Sequence, residues 1–115
     1  MNVILDILKI VVAVGTLVTG LYALVRPKAV YSFTGLEATG PRGITEIRAV
    51  LGGAFIGLGI VTLILRAAPA YQTLGAMYLA IAAVRIVSIF LDRSAVPSNW
   101  ISLAVEVVFG IILVI

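Results

Sequence analysis

Four apolar stretches follow one another along this chain, each long enough to cross a bilayer as a helix and separated by short polar connections. Spanning the hydrocarbon takes ~20 apolar residues at a helical rise of 1.5 Å. The candidate spans run over about residues 3–25, 44–65, 71–91 and 99–115. The first stops at Arg26-Pro27, the second at Arg66 ahead of Pro69, and the third at Asp92-Arg93. The fourth opens near Ser98-Asn99, an N-cap pattern following Pro97.

Composition leaves little room for another reading. Of 115 residues, 63% are hydrophobic and 11% charged, whereas a soluble domain keeps about a quarter of its residues ionisable. Lipid is therefore the expected outer solvent. A cleaved signal peptide is a weaker reading of the first stretch: its apolar run exceeds a typical signal core, and no A-x-A cleavage pattern follows. We expect it to be retained as a span.

Only residues 26–43 form a connection of any length. Tyr31, Phe33, Leu36 and Ile44 give it an amphipathic pattern suited to the membrane interface. Gly35, Gly40, Pro41 and Gly43 are expected to break any long helix there. Short links make consecutive helices antiparallel neighbours. The predicted fold is thus all-α: an integral membrane, left-handed antiparallel four-helix bundle forming one domain over residues 1–115.

Cysteine and histidine are absent. That removes disulfides, the usual zinc and haem ligands, thiol nucleophiles and histidine acid–base chemistry. No catalytic residue, metal site or cofactor is read, and an enzyme would have only carboxylates, arginines and tyrosines to work with. The net charge of +3 is scattered rather than gathered into a basic run, so nucleic acid is not an expected partner. As topology signal, Arg26, Lys28, Arg42 and Arg93 on one face outweigh Lys9, Arg66 and the amino terminus on the other. The positive-inside rule then puts both termini outside a multi-pass protein of the cell inner membrane.

Four ionisable residues lie inside the spans: Glu46, Arg48, Arg85 and Glu106. At helical rise their depths from one face are ~3, ~6, ~9 and ~10 Å. Tyr22 and Ser88 lie in the same half. Charges facing lipid cost ~2.5–3.5 kcal/mol on insertion scales, so these should turn inward and pair. Two readings follow. Either Arg85–Glu106 and Glu46 with Arg48 or Arg85 are salt bridges that fix register, or the set forms a polar pocket for a headgroup, an ion or a proton. Two arginines near Tyr22 suit an anionic or quinone-like headgroup. On the second span, Ala49, Gly53 and Gly57 form a small-xxx-small face, expected to serve internal packing more than dimerisation. Tyr71 and Trp100 read as interfacial anchors.

Gly35-Leu36, then Thr45-Glu46-Ile47-Arg48-Ala49 with Gly52-Gly53, and later Val84-Arg85, Leu91-Asp92, Pro97-Ser98 and Glu106, give a pattern that resembles a family of small bacterial membrane proteins. It is the family of domain of unknown function 4345, and the resemblance covers nearly the whole chain. A remoter similarity is to DoxX-like four-helix proteins. Neither resemblance implies an activity or a catalytic residue. The expected role is therefore to bind an amphiphile, a lipid or quinone, through its headgroup, or to act as an accessory subunit of a larger membrane complex or homo-oligomer. The alternative is a small proton- or ion-coupled transporter of the small multidrug type, although that class keeps its essential carboxylate in the first helix, where this chain has nothing deeper than Asp6.

Overall fold

A computed structural model describes residues 2–115, and no strand occurs among them. Four helices are long and apolar enough to cross a membrane: α1 (Val3–Val25), α2 (Gly40–Leu65), α3 (Ala68–Leu91) and α4 (Pro97–Val114). Large apolar side chains such as Val3, Ile64, Phe90 and Leu91 are more than two-thirds exposed along them. A protein in water does not tolerate that surface. This is a multi-pass membrane protein.

The helix starts are set by local chemistry. The Asn2 side-chain oxygen accepts from the amides of Ile4 and Leu5 at 3.0 and 3.3 Å, capping α1. α2 begins at Gly40 rather than near Ile44, so the Gly–Pro cluster expected to break a helix starts one instead. Pro41 stands in its first turn, where a missing N–H needs no partner. α3 and α4 likewise open on extended Ala67 and Val96 with proline in the first turn. Ser98-Asn99 therefore lies inside α4 and is not its cap. Within α2, Ile47–Gly53 is wound as a π-helix, a rare form concentrated at functional sites.

Packing divides the chain into two units: Ile10–Leu65, and Arg66–Ile115 together with the start of the chain up to Lys9. In the first, α1 meets α2 in reverse order. A Cβ placed on Gly52 would lie 3.3 Å from the Leu24 amide nitrogen, and one on Gly59 would lie 2.9 Å from the Leu17 Cα. The two backbones approach closest at Gly20, where a Cβ would meet Ile56 nitrogen at 2.7 Å and Gly52 oxygen at 2.8 Å. The small-residue face that packs is thus Gly52 and Gly59, not Ala49, Gly53 and Gly57. A Cβ on Gly57 would meet nothing within 4 Å, and one on Gly53 only the Arg48 carbonyl. The connection makes a 3₁₀ turn at Pro27–Val30 and one α turn at Tyr31–Thr34, ended by Gly35 at φ 73°. Val30 tucks against Ala23 and Ile47, with Ala38 and Leu51 beside them, holding the connection to the hairpin.

In the second unit α3 and α4 also pair in reverse order. Gly75 faces Gly110 and Leu113, Tyr78 meets Phe109 edge-on at 5.5 Å, and Phe90 meets Trp100 at 6.1 Å. Tyr71 is not an exposed anchor: it is buried, with the Lys9 ammonium 5.6 Å from its ring centroid.

Candidate functional site

Two of the four intramembrane charges pair within the α3–α4 hairpin. Arg85 on α3 and Glu106 on α4 form a bidentate pair, Nε donating to Oε1 and Nη2 to Oε2, each at 2.7 Å. Arg85 Nη1 donates to the Asn99 side-chain oxygen at 2.8 Å. The Asn99 amide in turn donates to the Ser94 carbonyl at 2.9 Å and to its hydroxyl at 3.1 Å. Glu106 is buried, yet each carboxylate oxygen has a donor, so its charge is compensated within the hairpin. Ser88, one turn from Arg85, takes none of the arginine's hydrogen bonds. Reading the sequence for charges alone misses Asn99. Its position seven residues before Glu106 on one helix, two turns away on the same face, is the available signal.

Within the α1–α2 unit, Glu46 does not pair with Arg48. It accepts from Arg42, one turn earlier on α2, and both side chains are exposed. The reason is local: α2 starts early enough to bring Arg42 into helical i,i+4 register. Arg48 turns to the end of α1, its Nε donating to the Leu24 carbonyl at 3.0 Å. That carbonyl belongs to the last turn of α1, where backbone acceptors lack helical donors. Tyr22 packs against Phe33 of the connection, ring centroids 5.8 Å apart.

Two clefts open in the α1–α2 unit. One, of about 330 Å³, is lined by Val25, Arg26, Pro27, Lys28, Ala29, Ile44 and Arg48. Three of those seven residues are cations and none is acidic. The other, of about 450 Å³, has apolar walls from Leu36 in the connection and from Ile47, Val50, Leu51, Ala54 and Phe55 on α2, with Glu37 and Glu46 also lining it. Four of these α2 residues, Ile47, Val50, Leu51 and Ala54, lie in or immediately after the π-helical turn. In the sequence, Arg26 and Lys28 read as ordinary span-flanking anchors. What singles them out is the fold of residues 25–29, which brings them beside Arg48. No cluster of three or more potential metal-ligating side chains occurs among the described residues.

The family described as "Domain of unknown function (DUF4345)" matches residues 4–115. No curated protein and no solved structure matches the chain.

Proposed function

The chain belongs to the DUF4345 family, and we propose that it works in the membrane as an amphiphile-binding protein, holding a lipid or quinone-like molecule on its α1–α2 unit. The observation that carries this reading is the apolar cleft of about 450 Å³ beside the π-helical turn. Its size lies within the ~300–1,000 Å³ of small-molecule sites. A ligand tail lies along Val50, Ala54 and Phe55, and Arg48 stands on the same stretch of helix for headgroup contact. Arg85 and Glu106 then serve as scaffold, because each already satisfies the other. The same pairing weighs against a small multidrug-type exchanger, which needs a span carboxylate free to take and release a proton.

Two finer features belong to this reading. The α1–α2 and α3–α4 hairpins assemble as one antiparallel four-helix bundle in the inner membrane. Both termini lie outside, with Arg26, Lys28, Arg42 and Arg93 toward the cytoplasm.

The test is to fill the cleft. Ala54→Trp should lower the lipid or quinone that co-purifies with the protein, measured by mass spectrometry per mole of folded chain. Ile64→Trp, on an exposed stretch of α2 outside the cleft, should leave it unchanged. Equal loads in wild type and Ala54→Trp would refute the assignment.

A further inference from the structure

We infer that the cleft formed by Arg26, Lys28 and Arg48 binds a phosphate group, that of an anionic phospholipid headgroup. The inference rests on the amphiphile reading above and names the class of molecule it takes. Among the described residues, the side chains of Arg26 and Lys28 make no hydrogen bond or ion pair within the protein, and Arg48 commits only its Nε, to Leu24. The contrast with two other arginines is informative. Arg85 is neutralised by Glu106 and Arg42 by Glu46, whereas no carboxylate lines this cleft. Three cations converging without a counter-charge repel one another, and a bound anion removes that cost.

The chemistry suits phosphate. The two terminal nitrogens of Arg48 remain available for bidentate donation, and Lys28 adds a compact point charge. The location suits a headgroup. α2 has 26 residues, which at 1.5 Å each is ~39 Å against ~30 Å of hydrocarbon, so its end turns reach the headgroup layer. Arg48, ~12 Å along α2 at that rise, extends its long side chain to Leu24 at the end of α1. Arg26 and Lys28 follow directly on the last residue of α1, which packs antiparallel to α2, so they meet the same layer.

Simple membrane anchoring by snorkelling cations makes a different prediction: every basic residue at a helix end would then contribute alike. Full-length protein in detergent, exposed to equimolar phosphatidylglycerol and phosphatidylcholine and examined by native mass spectrometry, separates the two. Wild type should retain phosphatidylglycerol in preference. Lys28→Gln should lower that preference about tenfold, the loss expected for one charge-assisted contact of ~1.4 kcal/mol. Lys28 has no protein partner to lose, so the variant keeps its fold. Arg48→Gln should do the same, its unfolding temperature showing whether the Leu24 contact matters separately. Arg93→Gln, a cation at a helix end outside the cleft, should leave the preference intact. Equal retention of the two lipids with the total load unchanged, or an equal drop in Arg93→Gln, overturns the headgroup assignment while leaving the amphiphile reading standing. Absence of any retained amphiphile removes both. Displacement of the lipid by millimolar inorganic phosphate would overturn the lipid as the source and assign the cleft to free phosphate.

Discussion

Arg85 meets Glu106 with two parallel hydrogen bonds of 2.7 Å, one to each carboxylate oxygen, across the α3–α4 hairpin. A fork-to-fork pair of this kind fixes both distance and rotation between two helices. It also closes the site, since the remaining bonding nitrogen of Arg85 goes to Asn99. This pair therefore keeps little capacity for a ligand.

Removing one partner should harm the hairpin more than removing both. Glu106→Leu leaves a guanidinium without its counter-ion, and we expect a loss of about 2–3 kcal/mol, below the ~3–5 of a fully buried pair. The discount reflects the Arg85 side chain, which is 30% exposed. The double variant Arg85→Met/Glu106→Leu should recover most of that stability. A double-mutant cycle by unfolding in detergent measures the coupling, and a value near zero would disprove the structural role.

Asn99 bridges Arg85 to the α3–α4 link by accepting from the one and donating to Ser94. Asn99→Ala should cost about 1–2 kcal/mol, the range for losing hydrogen bonds that include one to a charged group. Asn99→Asp should be milder, because it keeps an acceptor for Arg85 while losing the donor to Ser94. Equal unfolding midpoints for wild type and Asn99→Ala would show that the bridge contributes nothing.

How far the sequence reveals this molecule depends on which interaction decides each feature. Span number follows from apolar run length, so the four helices are legible directly. So is the Arg85–Glu106 meeting, because a short link and helical rise place both residues at nearly equal depth. The fate of Glu46 is not legible from depth. It depends on where α2 begins, and that is decided by Pro41 fitting the first turn. The packing face of α2 is misread for a related reason: a four-residue spacing of small residues picks out Gly53 and Gly57, while the contact is made through Gly52 and Gly59, seven apart and so two α-turns along one face. The clefts are beyond such reading altogether, since they arise from the path of residues 26–39.

Both short links turn on an arginine in the left-handed region, Arg66 at φ 45° and Arg93 at φ 52°. That conformation costs a residue with a Cβ about 1–2 kcal/mol, and glycine avoids it while losing ~0.5–1 kcal/mol through its freer unfolded chain. Arg93→Gly should thus stabilise the α3–α4 hairpin by about 0.5 kcal/mol. A lower unfolding midpoint for this variant would show that the arginine side chain contributes more than the strain costs.

The closest approach in the α1–α2 hairpin gives a comparison of two glycines on otherwise similar apolar helices. At Gly20 an added methyl would sit 2.7 Å from the Ile56 nitrogen and 2.8 Å from the Gly52 oxygen. Both obstacles are backbone, so α1 and α2 must separate to admit it. At Gly57 the same methyl meets nothing within 4 Å. Gly20→Ala should therefore destabilise by about 1–3 kcal/mol, the usual cost of overpacking, despite alanine's better helix propensity. Gly57→Ala should be neutral or stabilising by up to ~1 kcal/mol, since propensity acts there unopposed. Unfolding of the two variants side by side in the same detergent tests the register of the hairpin directly. If Gly57→Ala is the more damaging of the two, α2 presents to its partner the face carrying Ala49, Gly53 and Gly57 instead of the one carrying Gly52 and Gly59.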